Sequence, residues 1–236
     1  MKSDIKTILK EPWIDLTIKK SKKSSIQYNQ TYRHKEKYNF FQKAYDFLLA
    51  NSIKGSYFEF GCHQARTFRY ALRESIIKNI KQDFYAFDSF QGLPDQKNNQ
   101  QQNKYFSPGL LKTNKNNFLR LVSKYKKYRK IYVYEGFYED SLNKQLINKF
   151  KLNKTRVSFI SLDCDLEKSI KESLSFALKF MVNGTILYVD DYYNVYNGDP
   201  RKGNPKVVKD LLKKNKIFFE PWHIMGTCGK SFLLYK

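Results

Sequence analysis

Two apolar runs that end abruptly in carboxylates constrain this chain more than any other feature. They are Val157 to Asp165 (VSFISLDCD) and Gly184 to Tyr192 (GTILYVDDY), separated by one helix-length stretch. Short runs rich in β-branched and aromatic residues, with charge only at the carboxyl end, read as strands buried on both faces. A parallel sheet delivers the carboxyl ends of adjacent strands to one edge, so three or four acids would converge on a single crevice. Carboxylates at such range repel, and a cluster of them calls for a cation or a shared proton. A solvated loop acid or a helix N-cap explains one such aspartate. It does not explain two strands ending the same way.

A second constellation lies upstream. Ser56 to Thr67 (SYFEFGCHQART) reads as a buried strand, a tight turn at Gly61 and the start of a helix. Glycine there lets the backbone approach a ligand closely, and the helix that follows presents free N–H groups. The turn departs from a full GxGxxG, because Ala65 stands where a further glycine is often found. Farther on, Asp83 to Asp88 (DFYAFD) is another strand ending in an acid. Its spacing is that of a βαβ unit whose carboxylate holds ribose hydroxyls, so the two motifs together describe an adenosine site.

The order and spacing of several short motifs then carry a family resemblance: Glu59 to Gly61 (EFG), Phe87 to Pro94 (FDSFQGLP), Glu135 to Phe137 (EGF), Leu162 to Leu166 (LDCDL) and Val189 to Tyr192 (VDDY). From about Tyr38 to the C-terminus the chain resembles the class I S-adenosylmethionine-dependent methyltransferases. More closely it is similar to the macrocin O-methyltransferase family, whose members methylate sugar hydroxyls on macrolide and aminocoumarin antibiotics and include relatives associated with bacterial surface polysaccharides. Two departures stand out. The family's usual Asp-Leu-Tyr-Glu-Ser reads Asp165-Leu166-Glu167-Lys168-Ser169, and Ala65 occupies the glycine turn.

The resemblance implies S-adenosylmethionine as cofactor, with Glu59, Gly61, Cys62, His63 and Thr67 around its methionine end. Asp88 and Ser89 would serve the ribose, Gly136 and Phe137 would cover the adenine, and Asp163 would border the same site. A hydroxyl is a poor nucleophile at neutral pH, and a Mg2+ ion on Asp163, Asp190 and Asp191 would lower its pKa and orient it. The proton would pass to Asp163 or Asp165, with His223, expected in a C-terminal loop, as the alternative base. Tyr192, Tyr193 and Arg201 would form the acceptor wall, the aromatics stacking on a sugar face and Arg201 pairing with a phosphate.

Length and composition set the outer limits. The 236 residues suffice for one α/β domain with a good core. The expected fold is a doubly wound, mostly parallel, seven-stranded sheet of Rossmann-like type on residues 40–236, with an N-terminal arm over residues 1–39 in which Trp13, Ile14, Leu16 and Ile18 could dock on the sheet or make an oligomer contact. Strands are expected from Ser56, Asp83, Ile131, Val157 and Thr185, with Ile217–Pro221 and Ser231–Tyr235 closing the sheet as an antiparallel pair. The polar run Lys97 to Lys104 reads as a loop over the site. A net charge of +22 would ordinarily point to a polyanion. Here the excess is lysine accompanied by Asn, Ile, Tyr and Phe, the composition an AT-rich genome writes onto any surface, and no basic module separates from the core. A small-molecule or glycan acceptor is therefore preferred over nucleic acid, with a catechol-like phenol as the competing small acceptor. Cys62, Cys164 and Cys228 form no CxxC pair, and Cys62 and Cys164 read as packed beside strand ends. With no apolar run of membrane-spanning length, the expectation is a cytoplasmic protein.

Overall fold

The computed structural model describes residues 25–95 and 107–236. Seven strands form one sheet: β1 (Ser56–Phe60), β2 (Phe84–Asp88), β3 (Ile131–Glu135), β4 (Val157–Leu162), β5 (Met181–Val189), β6 (Phe218–Met225) and β7 (Gly229–Tyr235). Among the described residues seven α-helices accompany them: α1 (Ser25–Ala50), α2 (Arg66–Ile77), α3 (Lys115–Val122), the single turn α4 (Tyr138–Ser141), α5 (Lys144–Leu152), α6 (Glu167–Ala177) and α7 (Gly203–Lys214). The strand order is β3-β2-β1-β4-β5-β7-β6. All neighbours through β5 are parallel, and β7 inserts antiparallel between β5 and β6. The order reverses between β1 and β4, which is where a sheet of this kind opens a crevice beyond its strand ends.

Helices cover both faces, which is why β1 and β4 are buried at every position and read as continuous apolar runs. The two-residue period sorts the side chains. Phe58, Phe60, Phe87, Ile160, Leu162, Leu187 and Val189 face the layer of α5, α6 and α7. Tyr57, Phe84, Ala86, Phe159, Ile186 and Tyr188 face the layer of α1, α2 and α3. The same period carries Glu59, Asp88, Asp163 and Asp190 to the α1 side of the sheet.

Helix α1 differs from the expected arm. It runs unbroken across residues 39 and 40, with Tyr38, Phe41, Ala44, Tyr45 and Leu48 forming a buried stripe at helical spacing. Phe41 stacks on Phe159 at 5.2 Å and Phe40 lies 5.3 Å from Tyr188, so the helix is bound to the middle of the sheet. Each such buried side chain contributes about 1.5–3 kcal/mol by leaving water. Trp13, Ile14, Leu16, Ile18 and the run Lys97 to Lys104 lie outside the described residues. Among the described residues no helix is long and apolar enough to cross a membrane.

Candidate active site

The strand ends are tied in sequence across the sheet. The Gly61 N–H donates to the Phe87 carbonyl at 3.0 Å, Asp163 N–H to Phe60 at 2.8 Å, Asp190 N–H to Leu162 at 2.9 Å and Gly136 N–H to Asp88 at 3.1 Å. Each bond extends a ladder one step past its strand, so four chemistry-bearing segments leave the sheet at the same level. Gly61 has φ +82°, and a Cβ there would stand 1.8 Å from the Asp163 carbonyl oxygen. Only glycine lets β1 and β4 open at this distance.

Beyond these ends lies a cavity of about 280 Å³ lined by Gly61, His63, Asp88, Ser89, Gly136 and Phe137, and on the far side by Asp163, Asp165, Leu166 and Lys168. Among the described residues, six that line it are carboxylates (Asp88, Asp95, Glu139, Asp163, Asp165, Glu172), against one lysine, Lys168. An acidic cavity in a chain of net charge +22 favours a cationic ligand. Asp88 accepts three backbone N–H bonds, from Cys62 at 2.7 Å, His63 at 3.0 Å and Phe90 at 2.7 Å. It clamps the glycine turn to the end of β2 while bordering the cavity. The His63 ring meets the Thr113 hydroxyl at 2.7 Å and so joins the turn to the segment before α3.

Beside this cavity, Asp163, Asp190 and Asp191 each offer an oxygen within 4.8 Å of the others. The Asp190 carboxylate receives the Lys37 ammonium at 2.6 Å on Oδ2 and the Tyr188 hydroxyl on Oδ1. Burial alone would raise the Asp190 pKa, but Lys37 and these hydrogen bonds hold it below the usual carboxylate range. Burial opposes the charge on Lys37 too, yet Asp190 and Asp163 outweigh it and the ammonium is held more firmly than usual. Asp163 is pushed upward by burial and then by Asp190, and Asp191 by burial and then by Asp190 and Asp165. Asp165 is raised to about 6, chiefly by burial. Asp163 shares a hydrogen bond with Asp190, and Asp165 with Asp191. Four acids thus surround one buried lysine, and the surplus negative charge is what an all-oxygen site for a hard divalent cation requires. The donor set fits such an ion.

Several expected site residues meet at this cavity: Gly61, His63, Asp88, Ser89, Gly136, Phe137, Asp163 and Asp165. Others lie elsewhere. Cys62 contributes its backbone, while its thiol is buried against the Glu59 and Phe87 carbonyls at 3.5 and 3.8 Å. Glu59 and Thr67 sit behind the turn, Thr67 donating to Glu59 at 2.9 Å and Tyr57 donating to its other oxygen. Glu59 is fully buried, and burial lifts its pKa to about 8. Tyr192 is buried in the core against Phe232, and Tyr193 accepts from Lys230 at 3.0 Å. Arg201 is exposed and paired with Asp199 at 2.9 Å. His223 lies within strand β6 and not in a loop, its ring 4.5 Å from Trp222 and 6.1 Å from Phe40, away from the cavity. The strand continues past Pro221 because β6 bulges there and resumes pairing at Ile224.

Two residues were not singled out in the sequence. Asn204, buried in the first turn of α7, donates to the Asp165 carbonyl at 3.1 Å and the Asp191 carbonyl at 3.0 Å, holding the two acidic loops together. Lys37 comes from α1, far upstream of every motif. Its signal was available: it occupies the same helical stripe as Phe41, Ala44, Tyr45 and Leu48, where an unpaired lysine would be costly.

The sequence profile described as Macrocin-O-methyltransferase (TylF) matches residues 12–213. The chain belongs to the macrocin O-methyltransferase family. It is accordingly an S-adenosylmethionine-dependent O-methyltransferase. Among solved structures, the O-methyltransferase NovP matches with a TM-score of 0.68 at 16% identity, over 85% of this chain and 80% of that one. CalS11, a calicheamicin methyltransferase, matches with a TM-score of 0.68 at 12% identity, over 98% and 91%. An O-methyltransferase from Bacillus cereus, solved with SAH, matches at 0.52 and 12% identity, over 99% and 91%. These likenesses establish the shared fold. No curated protein matches the chain in sequence.

Proposed function

We propose that this macrocin O-methyltransferase family member methylates a hydroxyl of a sugar or glycan precursor, with Mg2+ held by Asp163, Asp190 and Asp191. The observation that carries the reading is the continuity of the two sites: Asp163 lines the cofactor cavity and also belongs to the carboxylate cluster. A methyl donor in the one and a hydroxyl at the other would meet at Asp163. The similarity to CalS11, a TDP-rhamnose 3'-O-methyltransferase (TM-score 0.58, 12% identity), supports a sugar acceptor.

The chain's own groups divide the work. Asp88 and the Gly61 turn bind the adenosine part, and the acidic lining stabilises the sulfonium charge. S-adenosylmethionine supplies the methyl group as an electrophile for in-line displacement, and a divalent cation would lower the pKa of the acceptor hydroxyl. Asp165 takes the proton: it borders the cavity, stands outside the three-carboxylate set, and is raised by burial to about 6, near the working pH of a general base. Its backbone has φ +55°, a conformation an aspartate adopts at some cost, and the Asn204 bond to its carbonyl supports it there. The free cysteines Cys62, Cys164 and Cys228 are consistent with work in the reducing cytoplasm.

The test is an acceptor panel. Labelled S-adenosylmethionine should transfer methyl to nucleotide sugars or simple glycosides and not to catechols. Transfer to phenols with none to any sugar would replace the sugar reading with the phenolic one.

A further inference from the structure

Lys37 lies in the acceptor-side cluster, yet no motif of the active site includes it. Its ammonium is buried, 2.6 Å from Asp190 Oδ2, and reaches there from a helix 153 positions away in sequence. The other Asp190 oxygen takes the Tyr188 hydroxyl. Both oxygens of a carboxylate that would bind a divalent cation are therefore already engaged, one of them by a cation.

The surroundings make that contact hard to give up. Asp163 and Asp191 also attract the ammonium. Helix α1 cannot simply recede, because Phe40 and Phe41 fasten the next turn to Tyr188 and Phe159. One turn back along α1, Arg66 meets His34, and Arg33 and the Glu36 carboxylate both lie at the turn of Gly226, whose N–H donates to Glu36 at 2.8 Å. Two cations competing for one carboxylate oppose each other's binding, by an amount that low local dielectric enlarges.

We propose that Lys37 is a built-in counter-ion of the carboxylate cluster, and that a divalent cation binds Asp163, Asp190 and Asp191 only in competition with it. This inference rests on the metal reading given above. Its consequence is that Lys37 neutralises one carboxylate of the cluster from within and sets metal affinity.

Calorimetric titration of the full chain with MgCl2 and MnCl2 tests it on wild type, Lys37→Gln and Lys37→Arg. Removing the charge should tighten binding at least tenfold, while Lys37→Arg should bind as weakly as wild type. A lysine with a merely structural role would, on removal, damage the site and weaken binding. Equal or weaker affinity in Lys37→Gln, with wild type binding measurably, overturns the inference and leaves the metal site standing. No binding by any of the three overturns both. Should Lys37→Gln fail to fold, the Lys37 side-chain ammonium resonance in a 15N spectrum of the wild type gives the answer: it should shift as Mg2+ saturates the site, and an unmoved signal at saturation overturns the competition.

Discussion

Single carboxylates in this protein owe their roles to which groups surround them. Asp88 borders the proposed cofactor cavity but also receives the N–H groups of Cys62, His63 and Phe90, so it shapes the turn as well as lining the cavity. Replacing it by asparagine puts an N–H donor against N–H donors. Each charge-assisted bond is worth about 1.5–3 kcal/mol, so Asp88→Asn should weaken S-adenosylmethionine binding at least tenfold and lower the melting temperature. Calorimetry showing unchanged cofactor affinity would remove Asp88 from the site. Glu59 presents the opposite case, a carboxyl shut away from solvent with its pKa lifted to about 8 by burial. Between the ordinary carboxylate range and that value the folded protein keeps a proton that the unfolded chain has lost. Stability is therefore fully present at low pH and declines as pH rises toward 8, by up to about 1.4 kcal/mol per unit from this group. Glu59→Gln should flatten the melting temperature between pH 5 and 8; an undiminished slope in the variant would assign the proton elsewhere.

At the scale of elements, the junction of β1 and β4 decides whether a site forms. Gly61→Ala drives a Cβ into the Asp163 carbonyl and forbids the +82° φ, so the variant should lose several kcal/mol and bind no cofactor. A folded Gly61→Ala that still binds S-adenosylmethionine would contradict the close approach. All five parallel strands were legible because each is an apolar run closed by an acid or a glycine, and their carboxyl ends carried the cavity residues Gly61, Asp88, Gly136 and Asp163. Two things escaped. Helix α1 reaches back into the stretch that reads as an N-terminal arm, because its first turns are polar and its burial depends on a sheet the local pattern does not contain. His223 was expected in a loop, because Pro221 and the bulge beside it interrupt a strand that pairing with β7 restores. Tyr192 shows why type alone misleads: it follows the acidic pair directly, yet turns inward onto Phe232. Asn204 and Lys37 meet the cluster only through tertiary structure, from α7 and α1.

Over the whole molecule, charge is divided: a chain of net charge +22 encloses an acidic cavity and an acidic cluster. A phosphate backbone attracted to the surface would be repelled from the methyl donor. Oligonucleotides should therefore bind weakly, with an affinity that falls steeply with salt, and should not compete with S-adenosylmethionine. Competition at physiological salt would reopen a nucleic-acid role. The account's central claim is that cofactor cavity and carboxylate cluster form one metal-assisted active site. The direct measurement is methyl transfer from labelled S-adenosylmethionine to a sugar acceptor, in excess chelator and on restoring Mg2+, for wild type and Asp191→Ala. The account predicts that chelator abolishes wild-type turnover, that Mg2+ restores it, and that Asp191→Ala is inactive in both while still binding S-adenosylmethionine. Full wild-type activity in excess chelator would contradict it.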